Sequence, residues 1–233
     1  MLGELFMNYG RIRLLDIECD AIDDLDGLVV RDDQETTHVR ATVRCLPGGI
    51  DNILAMQNLG FQFVDRQVDV SINLLRSKLD FRPLIRVKPR LTSGRREEVR
   101  VLARRGFPGD RRFYLSVIPN GETAAEVISA WVDGLDEYYV VEHMGAVVGF
   151  LAFEEREGMR SFVHMAAVDE RFRSSGAVIS LYATAAKECQ ERGFVALDDR
   201  ISTMNPALIN MYSLLGASFS NPTDVFLKEM WYV

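Results

Sequence analysis

The chain has 233 residues, 48% of them hydrophobic and 26% charged, with a formal net charge of −7. These are the proportions of a soluble globular protein with one large domain or two modest ones, and the negative balance speaks against general binding to nucleic acid or to an anionic membrane. Cys19, Cys45 and Cys189 lack metal-ligand spacing, no basic segment leads into an apolar start, and the run around Ala146 to Phe153 is too short to span a bilayer, so a metal-free, cytoplasmic protein is expected.

Val39, Ala41, Val43 and Cys45 alternate with Arg40, Thr42 and Arg44, and Val68, Val70, Ile72 and Leu74 alternate with Asp69, Ser71 and Asn73. Period two predicts half-buried strands. Between them, Pro47-Gly-Gly predicts a turn and Ile53 to Leu59 a short helix stopped at Gly60. The polar stretch Lys78 to Pro83 places a boundary, so residues 1–82 read as a small N-terminal α/β domain and 83–233 as a second domain. Leu84 to Val87 predicts a short strand, and Ser93 can cap a helix running to Arg105. A loop-rich stretch from Pro108 to Gly121 precedes a helix over Thr123 to Gly134, burying Val127, Ile128, Trp131 and Leu135. Tyr138 to Val141 and Val147 to Phe153 predict a hairpin about Met144-Gly145, followed by a strand over Phe162 to Val168.

After Arg173-Ser-Ser-Gly176, a helix buries Val178, Leu181, Tyr182, Ala185 and Cys189 and ends at Gly193. Val195 to Leu197 is a buried strand. Asn205 is a good N-cap with Pro206 at the first helical position, and that helix buries Leu208, Met211, Tyr212 and Leu215 before Gly216. Val225 to Leu227 is the last strand. The order describes an α/β or α+β layer on a mixed sheet. Ile53 to Phe61 echoes Ile209 to Ala217: aligning Gly60 with Gly216 puts Met56 where Tyr212 stands, so a first third that is a partial copy has lost the polar group.

Charge is uneven. Asp16, Glu18, Asp20, Asp23, Asp24 and Asp26 make the start acidic, and the arginines from Arg86 to Arg112 make the middle basic. The basic run is either a solvated helix face or a cationic wall that attracts a phosphate-bearing substrate. The turn before the Val178 helix gathers backbone N–H groups and a helix N-terminus around one point, an arrangement that binds phosphate. Tyr212 on the next helix is a core tyrosine or a proton donor to a leaving group. Together they point to a cofactor with a pyrophosphate and to group transfer.

Val168, Phe172, Arg173, Gly176 and Leu181, with Asn205, Tyr212, Leu215, Gly216 and Ala217 downstream, resemble the signature of the GNAT acyl-CoA N-acyltransferases over the C-terminal two-thirds of the chain. Within that superfamily the chain is similar to the acetyltransferases of dTDP-4-amino-4,6-dideoxygalactose (dTDP-fucosamine), which carry segments like Leu59-Gly-Phe-Gln-Phe-Val and Arg112-Phe-Tyr. The resemblance implies the GNAT fold, a central mixed β-sheet flanked by helices with a small N-terminal α/β domain. It implies acetyl-CoA as co-substrate and a primary amine as acceptor, an amino sugar on a nucleotide diphosphate. Another small amine, a protein terminus, or a non-catalytic regulatory protein on the same fold stays open, as does a homodimer.

The same resemblance gives Tyr212 the role of acid. It gives the backbone N–H groups of Ala166, Ala167 and Val168 to the oxyanion, provided their strand bulges. Those of Arg173, Ser174, Ser175, Gly176, Ala177 and Val178 go to the pyrophosphate, and Asn205 goes to the pantetheine arm. Val178 departs from the pattern, which calls for Gly or Ala there. Cofactor binding is weaker, Ala177 takes the small position, or the site is degraded. Glu154, Glu155 and His164 lie on or beside the central strands, and none stands out as a general base; water can take the proton.

Overall fold

The computed structural model describes residues 3–9, 12–19, 38–45, 49–76, 90–106, 128–129 and 131–231. In chain order these form β1 (Gly3–Tyr9), β2 (Ile12–Cys19), β3 (His38–Cys45), α1 (Gly49–Asn58), β4 (Gln62–Asn73), β5 (Arg90–Thr92) and α2 (Arg96–Gly106). Then follow β6 (Tyr138–His143), β7 (Ala146–Arg156), β8 (Arg160–Val168), a 3-10 segment (Glu170–Ser175), α3 (Ala177–Glu191), β9 (Ala196–Ser202), α4 (Pro206–Leu214) and β10 (Ser218–Trp231). One mixed sheet runs β1-β2-β3-β10-β4-β9-β8-β7-β6-β5, so the expected mixed sheet flanked by helices is what the chain forms.

Several elements are longer than their alternation suggests. β4 begins at Gln62 because Asp65-Arg66 interrupts the pattern without breaking the strand, and β10 absorbs Asn221-Pro222 through a register shift between Ser220 and Thr223. The β6–β7 turn has Met144 and Gly145 both left-handed (φ 49° and 78°), which suits a two-residue hairpin. Ser93 is not the cap of α2. The first helical bond runs from Val99 N–H to the Arg95 carbonyl, with Arg95 at φ 64°. The expected strand at Leu84 and the loop and helix start over 108–127 lie outside the described residues.

Alternation along β7 and β8 feeds two cores. Leu151, Val163 and Val168 face α3 and α4 with Leu181, Ala185, Met211 and Tyr212. Phe150, Ala152, Met165 and Ala167 face α2 and the helical residues 128–129 and 131–133.

The middle of the sheet is built twice. β2 runs parallel to β3 as β8 runs parallel to β9, and β3–α1–β4 repeats the order β9–α4–β10. The helix exits match bond for bond. Leu59, Gly60 and Phe61 N–H donate to the Ala55, Gln57 and Met56 carbonyls, as Leu215, Gly216 and Ala217 N–H donate to Met211, Ser213 and Tyr212. Gly60 and Gly216 are both left-handed (φ 82° and 71°). The offset carrying Gly60 to Gly216 also turns the pair Val70↔Asp199 into Phe226↔Val43, and Ser71↔Ser218 into Leu227↔Gln62. Gln67 and Thr223, opposite each other, mark the local twofold axis. Each half lends its last strand to the other: β4 lies against β9 and β10 against β3.

Candidate functional site

β8 and β9 pair at only three positions, Arg160↔Ala196, Ser161↔Leu197 and Phe162↔Asp198. Beyond these, β8 continues along β7 to Val168 while β9 continues along β4 to Ser202, so a wedge opens between them. The register shift between Ala152 and Phe153 leaves His164 as the extra residue on β8, and such a bulge bends its strand. Asp169 N–H donates to the Val148 carbonyl at 2.9 Å. Antiparallel alternation then makes Phe150↔Ala167 a hydrogen-bonded pair and turns the Ala166 and Val168 N–H groups away from β7, toward the wedge. The bulge thus lies at His164, ahead of Ala166 to Val168, and the Ala167 amide belongs to the β7 ladder.

Ala167 also sets the spacing of α2. A β-carbon at Gly106 would stand 2.6 Å from the Ala167 side chain, which has no flexible end to yield. Gly106→Ala is expected to push α2 from β8 and cost about 1–3 kcal/mol, read by urea denaturation.

The turn after β8 stands at the wide end of the wedge. Asp169 accepts from Arg171 N–H at 3.0 Å, and the Arg171 guanidinium holds its carboxyl down to about 2. Gly176 is left-handed (φ 80°, ψ 5°) and α3 starts behind it with no side-chain cap. The first helical bond joins Ser180 N–H to the Gly176 carbonyl, so the Ala177, Val178 and Ile179 amides have no acceptor within the helix. Ala177 is buried and Val178 half-buried against the α3 core. Arg173 and Ser174 are exposed, the Arg173 side chain stands 3.5 Å from the Val168 carbonyl, and Ser175 donates to the Phe172 carbonyl at 2.5 Å.

Tyr212 is fully buried, and its hydroxyl donates to Asp199 Oδ2 at 2.5 Å. Tyr182 from α3 points its hydroxyl at the same oxygen, 3.5 Å away, with the two rings edge to face at 5.2 Å. Burial first, then the Asp199 charge, pushes both phenols well above their ordinary range, so both stay protonated at neutral pH. Asp199 is the first β9 residue past the last bridge to β8, which places this cluster at the root of the wedge. Asn205 caps α4, its Oδ1 accepting from Leu208 N–H at 3.1 Å.

The turn before α3 follows the end of β8, the Ala166 and Val168 amides lie on the β8 edge turned from β7, and Tyr212 is buried against Asp199, the first β9 residue past the last bridge to β8. Sequence reasoning missed Asp199. The visible signal was a carboxylate between Leu197 and Ile201 on the inward phase of a strand. Four arginines at the start of and along α2 are bonded within the protein: Arg95 to Glu98 and Glu142, Arg96 to the Val132, Asp133 and Leu135 carbonyls, Arg100 to Glu97 and Asp133, and Arg104 to Ser129. His164 Nδ1 lies 3.8 Å from Glu154 Oε2 and its ring faces Trp131. Among the described residues no His, Cys, Asp and Glu group could hold a metal, and no helix is long and apolar enough to cross a membrane.

Three solved structures illustrate the likeness. A GCN5-related N-acetyltransferase from Sphaerobacter thermophilus matches at a TM-score of 0.59 and 14% identity, over 98% of this chain and 76% of that one. A tandem GNAT protein from the clavulanic acid biosynthesis pathway matches at 0.51 and 16%, over 84% and 65%. A glucosamine N-acetyltransferase region in a fungal multi-domain GH3 β-N-acetylglucosaminidase matches at 0.62 and 11%, over 97% of this chain and 31% of that one. At these identities the likeness is one of fold, and no curated protein matches the chain. Residues 102–217, which carry the wedge, the uncapped helix and the buried phenols, match the acetyltransferase (GNAT) family model, and the fold they build is the GNAT fold.

Proposed function

We propose that the chain moves an acetyl group from acetyl-CoA to a primary amine. The observation that carries this reading is the N-terminus of α3, without a side-chain cap behind left-handed Gly176, in the turn that follows the end of β8 where β8 and β9 have parted. Free amides at a helix N-terminus suit a diphosphate, and the residues present fit coenzyme A there. The Ala177, Val178 and Ile179 amides would grip the pyrophosphate, since the 3-10 segment uses those of Arg173 and Ser175 in its own bonds, and Asn205, with Oδ1 used by its cap, would offer its amide N–H₂ to the pantetheine arm. Either the Ala166 or the Val168 N–H would donate to the developing oxyanion, the two standing about 6.6 Å apart along the strand, with Ala167 N–H left to the ladder. As the C–S bond breaks with its electron pair on sulfur, Tyr212 gives its proton to the thiolate. The amine nitrogen loses a proton on amide formation to water or His164, and an equivalent proton returns from solvent to the Tyr212 phenolate before the next turnover, so the reaction is neutral overall.

The acceptor we propose is an amino sugar on a nucleotide diphosphate. Its support is the similarity of the segment Leu59 to Val64 to the dTDP-fucosamine acetyltransferases; Arg112-Phe-Tyr lies outside the described residues. Other small amines and protein termini compete, since Arg95, Arg96, Arg100 and Arg104 of the basic run are bonded within the protein, in keeping with a helix face and not with a cationic wall. Thiol release from acetyl-CoA across a panel of amines, nucleotide amino sugars included, decides. With the best acceptor, Tyr212→Phe is expected to lower kcat by about 10²- to 10⁴-fold and leave KM for acetyl-CoA nearly unchanged.

The complete burial of Tyr212 favours a second reading, a non-catalytic regulatory protein on the same fold. Calorimetric titration separates the two: no heat of binding at millimolar acetyl-CoA supports the regulatory protein.

A further inference from the structure

The local twofold supplies an internal control for the buried polar cluster. The offset that superposes the two helix exits places Met56 at the position of Tyr212 and Val43 at that of Asp199. Met56 and Val43 are both fully buried, like Tyr212 itself. The same strand, helix and exchanged-strand arrangement is thus packed once with an apolar pair and once with a carboxylate and a phenol. Burying a carboxylate is expensive, and replacing a buried charged group by apolar atoms of similar volume is often neutral or stabilising. The N-terminal half shows that the fold meets this packing demand without the charge.

The halves differ in a second way that tracks the first. β2 and β3 stay paired over eight positions, from Ile12↔His38 to Cys19↔Cys45, whereas β8 and β9 part after three. The polar pair occurs where the parallel strands open and the apolar pair where they stay closed.

We propose that Asp199 is a positioning residue for the Tyr212 phenol in acyl transfer, retained for the reaction and not for the fold. The inference rests on the reading of Tyr212 as the acid. Asp199 Oδ1 is fixed by Arg200 N–H at 2.7 Å, and Oδ2 receives Tyr212 at 2.5 Å. Two bonds to two elements thereby set where the phenol oxygen lies at the root of the wedge. Tyr182 at 3.5 Å is the reserve donor, keeping the carboxylate satisfied as the Tyr212 proton moves to sulfur. Across the β4 ladder Asp199 meets Val70, and the Arg200 guanidinium bonds Asp69.

The test uses the full chain as wild type, Tyr212→Phe, Asp199→Val, the double variant and Asp199→Asn. Thiol release is followed with acetyl-CoA and the panel amine of highest turnover, cofactor affinity by calorimetry, and unfolding by heat. Asp199→Val, which installs the residue of the other half, is expected to melt no lower than wild type and to bind acetyl-CoA within about 3-fold, while kcat falls about 100-fold. Added to Tyr212→Phe it costs nothing further, because the two act as a unit. Asp199→Asn keeps an oxygen acceptor in place and recovers most of the turnover. A large drop in melting temperature or failure to fold in Asp199→Val makes the carboxylate structural and overturns the proposal. Wild-type turnover in Asp199→Val beside a slow Tyr212→Phe overturns it while leaving the acid in place. Unchanged turnover in Tyr212→Phe removes the acid role, and this inference with it.

Discussion

Val70→Pro is expected to destabilise the entire chain, although Val70 belongs to none of the amides proposed to hold the cofactor. Val70 lies on β4 between Phe219 of β10 and Asp199 of β9, and its side chain is buried in the core beneath α3 and α4. On a strand flanked on both sides, every N–H serves one neighbour or the other. Proline removes that donor and forces its ring into the ladder, at a cost of about 3 kcal/mol or more. Against a total stability on the order of 5–15 kcal/mol this is a large share. Because β4 joins the two halves through their exchanged strands, the loss is not confined to residues 1–82. Urea unfolding and acetyl-CoA titration should both show it. A variant with wild-type stability and cofactor binding would mean that β4 is not the strand between β9 and β10.

Gly176→Val is the corresponding test of the cofactor turn. At φ 80° and ψ 5° a side chain with a branched β-carbon costs about 1–2 kcal/mol and is relieved by moving the start of α3. Moving that start displaces the Ala177 to Ile179 amides, so acetyl-CoA affinity is expected to fall about 10- to 100-fold at 1.4 kcal/mol per tenfold. Gly176→Asn should lose less, since asparagine tolerates the left-handed region. The readout is calorimetric titration with acetyl-CoA. Undiminished affinity in Gly176→Val would place the diphosphate elsewhere.

How far each feature was legible depended on how local its cause is. Asn205-Pro206 announces the start of α4 and Gly216 its end, because capping and left-handed exits are settled within a few residues. The β6–β7 hairpin follows likewise from Met144-Gly145. β1 and β2 were not anticipated: Leu5-Phe6-Met7 and Leu14-Leu15 put apolar residues side by side and spoil a period of two. Ser93 has the right chemistry for a cap but stands too early, since Arg95 bonds Glu98 and Glu142 and pulls the helix start to itself.

By itself the sequence determined the local pieces of this protein: the alternating strands, the helix ends, the glycine turn ahead of α3 and the echo between the two helix exits. Each depends on backbone preference or on the spacing of apolar residues, which the chain carries at every point. Only the tertiary structure decided that β4 and β10 are exchanged, that β8 and β9 part after Phe162 while β2 and β3 do not, and that Tyr212 gives its hydroxyl to Asp199. Those outcomes come from pairing and burial between residues far apart in the chain. Their energies exist only once the sheet has closed around them.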